Sequence, residues 1–183
     1  MKNTLIFILE ILKIVIIALV IVVPIRYFVF QPFFVRGQSM EPSFHNGDYL
    51  IIDEISYRFR GPQRGEVIVF KYPSDPSQRY IKRVIGLPEE TVEIKDGKVN
   101  VYDKNGILQN IEETLYLVDM PTTGNVNIHL GEKEYFVLGD NRLFSSDSRR
   151  WGSVPQDFII GRVFLRAWPF TALAKISAPG YGY

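Results

Sequence analysis

Apolar positions follow two different patterns along the chain. From Leu5 to Val23, seventeen of nineteen residues are apolar, and as a helix this run spans roughly 28 Å, close to the hydrocarbon core of a bilayer. After Val35 the apolar residues come in short runs rich in Val, Ile, Tyr and Phe, separated by Gly and Pro. These patterns predict one transmembrane helix, at about residues 5–25, followed by a mostly β protein.

The predicted anchor carries two charges, Glu10 and Lys13, which lie three residues apart and can pair on one helix face. A second register, Ile14–Phe30, leaves that pair at the interface but encloses Pro24 and Arg26. Both registers stay open.

A retained anchor is favoured over a cleavable leader. The apolar run is too long for a leader, and the aromatic residues 27–30 follow it where a cleavage site needs small ones. Orientation stays open on charge, because Lys2 and the amino terminus oppose Arg26 and Arg36.

The aromatic segment, residues 28–35, allows two interpretations. It is either a strand of the protein core or a surface that enters the lipid headgroup region.

Alternating segments predict strands at Asp48–Asp53, Glu66–Tyr72, Tyr80–Leu87, Tyr135–Leu138 and Phe158–Trp168, with a polar loop at Pro73–Gln78. On the third of these strands, alternation places Lys82 on one face with Tyr80 and Val84. Lys82 is therefore either a solvated edge residue or a buried amine.

Residues 88–133 are polar and rich in turns, which predicts a small inserted β subdomain. Asp96-Gly97 predicts a two-residue hairpin and Asn105-Gly106 a second turn. His129 lies in this segment and is expected at the surface.

Two dense polar segments carry the candidate chemistry, residues 37–44 around Ser39 and residues 139–152. A serine near a flexible glycine and a proline is usually part of a turn, but it can also be held exposed as a nucleophile. The second segment is either a surface loop or a buried ion pair that presents a hydroxyl inward.

Composition narrows the function classes. The chain has 21 basic and 20 acidic residues, so no concentrated basic face for nucleic acid is indicated. With no cysteine and two histidines, the usual zinc sites and a thiol nucleophile are excluded, and we expect neither metal nor cofactor.

Five sequence blocks follow the apolar run in this order: Gly-x-Ser-Met-x-Pro at 37–42, Gly-Asp-Tyr at 47–49, Arg-Gly-Glu-Val-Ile-Val-Phe at 64–70, Tyr-Ile-Lys-Arg-Val-Ile-Gly at 80–86 and Gly-Asp-Asn-x-x-x-Ser-x-Asp-Ser-Arg at 139–149. Together they resemble bacterial type I signal peptidases of the small, single-anchor type. The resemblance covers nearly the whole chain. It implies a serine endopeptidase that removes signal peptides from exported preproteins after small residues, with an inner amino terminus and an outer catalytic domain.

The resemblance also implies the roles of single residues. Ser39 would be the nucleophile, Lys82 the general base and Ser145 the hydroxyl that holds the lysine, with support from the pair Asp147 and Arg149 and from the motif residues Met40 and Pro42. Longer members place an oxyanion-donating serine where this chain has Gly37. The Ser39 N–H would remain as a donor, and the second donor, in the Gly37 region, stays open.

Such chemistry requires a lysine whose pKa is lowered by burial, since an ordinary lysine with a pKa near 10.4 is almost always protonated at neutral pH. The rival base is His45, six residues from Ser39. A self-cleaving repressor would need a DNA-binding domain, and a non-catalytic tethered binding protein would not need Ser39 at all.

The resulting layout has an anchor at 1–26, a catalytic β domain at 27–87 and 134–172, the inserted subdomain at 88–133 and a tail at 173–183. The expected partners are signal peptides and the lipid bilayer. The oligomeric state stays open.

Overall fold

The computed structural model describes residues 2–28, 30–109, 111, 113, 116–117 and 121–179. The side chains of residues 2–5, 21, 23–28 and 30 lie outside this description, as do Met1 of the predicted anchor, Val29 of the aromatic segment and residues 180–183 of the tail.

A single long helix opens the chain, α1 (Lys2–Phe28). The sequence expectation of an amino-terminal helix is confirmed. Among the described residues, no helix combines the length and the apolar character that crossing a membrane requires, so the predicted transmembrane span is not confirmed.

The described residues after α1 are mostly β, as predicted. The strands are β1 (Phe30–Phe34), β2 (Tyr49–Asp53), β3 (Val67–Tyr72), β4 (Asp75–Gly86), β5 (Thr91–Lys95), β6 (Lys98–Tyr102), β7 (Leu108–Gln109), β8 (Val126–His129), β9 (Glu134–Leu138), β10 (Val154–Pro155), β11 (Ile159–Trp168) and β12 (Ala174–Lys175). Helix α2 (Ser148–Trp151) is one turn long, and single turns of 3-10 helix occur at Ser56–Arg58, Gln156–Phe158 and Phe170–Ala172.

Two antiparallel sheets contain these strands. The large sheet has the order β1-β2-β11-β3-β4-β9-β10, with β12 paired to β11, and the small sheet has the order β7-β6-β5-β8. The late strand β11 lies between β2 and β3. The large sheet therefore needs both the early and the late part of the chain, while the small sheet is built from residues 91–129.

Strand β4 is longer than its sequence pattern predicted. It begins at Asp75, so most of the predicted polar loop at 73–78 is strand, and a tight turn at residues 73–74 joins β3 to β4. Arg79 pairs with Lys71, which shows that polar residues continue the ladder. The prediction was wrong because backbone pairing with β3, which does not depend on side-chain polarity, extends the hairpin.

The predicted hairpin at Asp96-Gly97 is confirmed. Lys95 and Lys98 are partners across it, and both turn residues have positive φ, 52° for Asp96 and 80° for Gly97. Such a turn matches the twist of the flanking strands.

One apolar cluster joins the small sheet to the large one. Ile85 of β4 and Phe136 of β9 pack in the same core as residues of β5 and β6, including Val92, Ile94 and Val101. The small sheet therefore buries its apolar face against the ends of β4 and β9, and residues 139–152 follow directly on β9.

Candidate active site

Ser39 lies in a turn whose ends are fixed by packing. Its neighbour Met40 and the nearby Phe44 are each 1% exposed and belong to the core cluster with Val35 and Leu50, and the Phe44 N–H donates to the Met40 carbonyl at 2.9 Å. Pro42 is exposed at the outer side of this turn. Because the apolar side chains around it are buried, Ser39 is held in place while staying partly accessible.

The structure brings Ser39 and Lys82 together. Lys82 Nζ lies 2.8 Å from Ser39 Oγ and donates to the Ile81 carbonyl at 2.8 Å. It is 5.4 Å from the centre of the Tyr80 ring, the residue that alternation placed on the same face. Of the two interpretations left open for Lys82, the buried amine is confirmed, since the residue is 4% exposed.

Burial is the main cause of an altered pKa at this lysine. Removal from water lowers the pKa of Lys82 from 10.5 to about 8, although the charges of Asp147 and Asp140 act in the opposite direction. No salt bridge to Lys82 occurs among the described residues. A neutral amine is therefore accessible near neutral pH, which makes the pair chemically able to deprotonate a hydroxyl.

The second polar segment packs against Ser39 and Lys82, and we call its residues 139–149 the polar loop. A Cβ on Gly139 would lie 2.2 Å from Ser145 Oγ and 2.4 Å from the Ser39 carbonyl oxygen, so only glycine fits there. The Asn141 N–H donates to the same Ser39 carbonyl at 3.1 Å. The loop therefore touches the backbone of the serine directly.

Asp147 and Arg149 form the ion pair expected in this loop. Arg149 donates to Asp147 through Nε at 2.8 Å and Nη2 at 2.9 Å, and the Gly139 N–H donates to the same carboxylate at 3.1 Å. Burial would raise the pKa of Asp147, but the hydrogen bonds and charge of Arg149 outweigh it, and the pKa is lowered overall. The carboxylate is thus held ionised.

Ser145 is near the pair but makes no hydrogen bond to Lys82. Its Oγ is buried and makes no hydrogen bond of standard geometry within the described residues, but it lies close enough to Asp147 to help lower the pKa of that carboxyl. It packs against Gly139, on the side where the loop contacts Ser39.

Neither histidine belongs to this site. His45 is exposed, and its hydrogen bonds involve its backbone: the N–H donates to Asp48 Oδ2 at 3.0 Å, and the carbonyl accepts from the Asp48 N–H at 3.1 Å. His129 lies on β8, exposed, with its ring nitrogen 3.1 Å from Thr91 Oγ1. The described residues contain no cluster of side chains that would hold a metal ion.

An open cleft of about 560 Å³ runs past the serine and the lysine. One wall is the edge strand β1, through Pro32–Phe34, and the other is Arg79–Lys82 of β4, with Phe144 and Ser146 of the polar loop at one end. Residues 30–34 of the aromatic segment thus form an edge strand, and Phe34 on it is 60% exposed. The recorded pairing of β4 with β9 begins only at Arg83, so the β4 edge at 79–82 lacks β9.

Two residues important to this site were missed by the sequence reasoning. Arg83 and Asp140 form a buried ion pair, with Nη2 and Oδ2 2.6 Å apart, directly beside Lys82 and Gly139. The available signal was a second charge in mid-strand, on the face opposite Lys82, together with an aspartate at the start of the polar loop.

The sequence matches a known family profile. The profile described as "Signal peptidase, peptidase S26" matches residues 8–168. Among similar proteins, a "Signal peptidase I" of Leptolyngbya laminosa is 39% identical over 88% of this chain and 80% of its own. A "Signal peptidase IB" of Staphylococcus aureus is 33% identical over 85% of this chain and 86% of its own.

A solved structure is also similar. The crystal structure of a signal peptidase I from Enterococcus faecalis matches with 34% identity and a TM-score of 0.46, over 57% of this chain and 97% of its own.

Proposed function

This chain belongs to the signal peptidase family, peptidase S26, and from that premise we propose that Ser39 and Lys82 are the catalytic dyad of a serine endopeptidase that removes signal peptides. The observation that carries the proposal is the 2.8 Å separation of Lys82 Nζ and Ser39 Oγ in a buried setting. The pKa of Lys82, lowered to about 8, supports it.

The proposed reaction has two steps. Neutral Lys82 accepts the hydroxyl proton while Ser39 Oγ attacks the scissile carbonyl, and the protonated amine then gives that proton to the leaving amino group. This leaves an ester between Ser39 and the signal peptide, which water hydrolyses with Lys82 again as base. In this proposal Asp147 and Arg149 support the loop beside the dyad. Ser145, which makes no hydrogen bond to Lys82 in this structure, is proposed to orient the lysine during the reaction.

The proposed oxyanion donor is the Ser39 N–H, which donates to no acceptor within the described residues. The Gly37 N–H is engaged by Asn46 Oδ1 at 3.0 Å, so the second donor must come from elsewhere in the Gly37 region or from a rearranged turn. Such a donor contributes about 3 kcal/mol in the transition state.

The proposed substrate binds as an extended strand in the cleft. The edge strand β1 and the β4 edge at residues 79–82 offer backbone hydrogen bonds from two sides. Small pockets beside Ser39 would select small residues one and three positions before the cleaved bond, as in Ala-x-Ala-like sites.

We extend the proposal to the domain layout and location. Residues 27–87 and 134–172 form the catalytic domain, 88–133 the inserted subdomain and 173–183 the tail. Residues 1–26 hold the enzyme at the cell membrane as a single-pass anchor, with the amino terminus in the cytoplasm and the catalytic domain outside. Apolar side chains exposed along α1, such as Ile6, Leu12 and Val20, support the membrane assignment.

The test of the proposed function is a cleavage assay on a preprotein in detergent. The wild-type chain is expected to release the signal peptide, and Ser39→Ala and Lys82→Ala to release none above background. Mass spectrometry of acid-quenched enzyme should show the signal-peptide adduct on Ser39 in the wild type alone. Full activity of Ser39→Ala would reject the proposal.

Liposome partitioning tests the location. The full chain should bind vesicles, and a chain without residues 1–26 should bind more weakly. If the shortened chain still binds better than a scrambled-segment control, the exposed Phe34 region also contacts lipid. Equal partitioning of the full and shortened chains would reject the anchor.

A further inference from the structure

A fully enclosed arginine connects the polar loop to the segment between β7 and β8 of the small sheet. Arg142 is 1% exposed. Its Nε donates to the Gly139 carbonyl at 2.9 Å, its Nη2 to Glu113 Oε1 at 2.7 Å, and its Nη1 to Thr122 Oγ1. A buried guanidinium is tolerated only with such partners, so the positions of these groups depend on one another.

A second arginine contacts the same segment. The Arg83 guanidinium carbon lies 4.1 Å from the centre of the Tyr116 ring, and Arg83 holds Asp140 of the polar loop. Tyr116 in turn donates from its hydroxyl to Glu113 Oε1 at 3.5 Å. We call Glu113, Tyr116 and Thr122 the bracing residues.

The braced part of the loop is the part that touches the nucleophile. Gly139, whose carbonyl accepts from Arg142, lies against the Ser39 carbonyl, and the Asn141 N–H donates to that carbonyl. A displacement of residues 139–142 would therefore move Ser39. Lys82 is held by the pairing of β4 with β3 and would move less than Ser39, so the 2.8 Å separation of the dyad would change.

We infer that Arg142 is a positioning residue of this enzyme, and that the bracing residues set the distance between Ser39 and Lys82 through it. The inference rests on the proposed function, because it assigns a role in that reaction. Small misplacements of reacting groups reduce turnover strongly, by up to about 100-fold for 1 Å. Substrate binding in the cleft, which the bracing residues do not line, should be spared.

The experiment compares Glu113→Gln and Glu113→Ala with a matched control in the full chain. The control is Glu90→Gln, which weakens another ion pair next to the small sheet: Arg64 Nη2 and Glu90 Oε1 lie 2.5 Å apart. The Glu90 carboxylate accepts hydrogen bonds from Arg64 Nη2 and from the Leu87 N–H. Steady-state cleavage of one preprotein gives kcat and KM, and urea unfolding gives stability.

We expect kcat of Glu113→Gln to fall roughly tenfold with KM unchanged, and kcat of Glu113→Ala to fall further, because the glutamine oxygen can still accept from Arg142. Glu90→Gln should lose stability but keep its kcat. The inference is overturned if Glu113→Gln keeps wild-type kcat, or if its kcat falls no more than that of Glu90→Gln at matched folded fraction.

Thr122→Val keeps the result interpretable where a Glu113 variant does not fold. It removes one of the three Arg142 partners and should lower kcat less than Glu113→Ala while leaving KM unchanged. Wild-type kcat in Thr122→Val with unfolded Glu113 variants would reject a positioning role. Loss of cleavage in the wild type itself would instead reject the proposed function, and this inference with it.

Discussion

Two adjacent basic residues on opposite faces of β4 have different kinds of partners. Lys82 and Arg83 are adjacent and are 4% and 5% exposed. Arg83 donates to the Asp140 carboxylate, through Nε at 2.8 Å and Nη2 at 2.6 Å, and to the Gly65 carbonyl at 2.8 Å. Lys82 donates to the Ser39 hydroxyl and to the Ile81 carbonyl, which are both neutral.

The difference shows that burial alone does not decide the charge of a group. A guanidinium stays protonated in proteins, so the buried Arg83 requires a full anionic partner. An ammonium can lose its proton, and with only neutral partners in contact the pKa of Lys82 falls to about 8. One strand thus carries a permanent structural cation and, beside it, an amine able to act as a base.

Replacing the amine by a permanent cation should have the largest effect. Lys82→Arg keeps a positive charge but cannot deprotonate, so kcat/KM should fall by about 10²–10⁴-fold in the preprotein cleavage assay. Lys71→Arg, an exposed lysine on β3, is the matched control and should remain active. Substantial activity of Lys82→Arg would mean that another group is the base.

Removing the structural cation should instead affect stability. Arg83→Met leaves Asp140 buried without its partner, which should lower the free energy of unfolding by about 3–5 kcal/mol in urea titrations. Lys71→Met, at an exposed position, should change it by less than about 0.5 kcal/mol. A small effect of Arg83→Met would show that Asp140 finds another partner or becomes protonated.

Removing the amine should stabilise the protein. The folded-state pKa of Lys82 is lowered from 10.5 to about 8. Below pH 8 the amine is protonated in both states, and the charge is less favourable in the buried site than in the unfolded chain, which lowers the free energy of unfolding. Lys82→Met should therefore be more stable than wild type by about 3 kcal/mol at pH 7.

The sign of this effect is checked by its pH dependence. Between pH 8 and 10.5 the unfolded wild type still binds a proton that the folded protein has lost, so wild-type stability rises through this window. Lys82→Met lacks that rise, and the two chains should converge near pH 10.5. Parallel curves would show that the pKa of Lys82 is not shifted.

The smallest effect is expected from the rival base. His45→Ala should leave kcat/KM unchanged in the cleavage assay, because His45 is exposed and has no recorded hydrogen bond to Ser39. A large loss would assign His45 a part in proton transfer that the geometry does not indicate.

Sequence pattern was informative wherever one residue and its near neighbours decide the structure. The Asp96-Gly97 hairpin follows from two residues that adopt positive φ, and strand β9 from an uninterrupted apolar run. Alternation on β4 placed Tyr80 and Lys82 on one face, and the Tyr80 ring is indeed near the amine.

Sequence pattern did not predict features that depend on contacts between segments distant along the chain. The start of β4 at Asp75 depends on pairing with β3, and the partner of Arg83 comes from a loop 57 residues away. The same holds for Glu113, which reaches Arg142 over 29 residues. No local periodicity marks such pairs. The sequence can therefore show that a charged residue lies within a strand, but it does not identify the partner of that residue.

The resemblance to a family supplied the pairing of Ser39 with Lys82, which composition and spacing left open. The structure adds their distance and the burial that makes the pairing chemically useful. Their catalytic roles, and that of Ser145, remain predictions.

A direct titration of Lys82 would be the most decisive measurement. NMR of lysine labelled with ¹³C at Cε, in the full chain in detergent, would follow each amine, with Lys82→Met identifying the signal. We predict a midpoint near pH 8 for Lys82, well below the ordinary value for a lysine side chain of about 10.4. A Lys82 midpoint close to that ordinary value would contradict a neutral amine as the base.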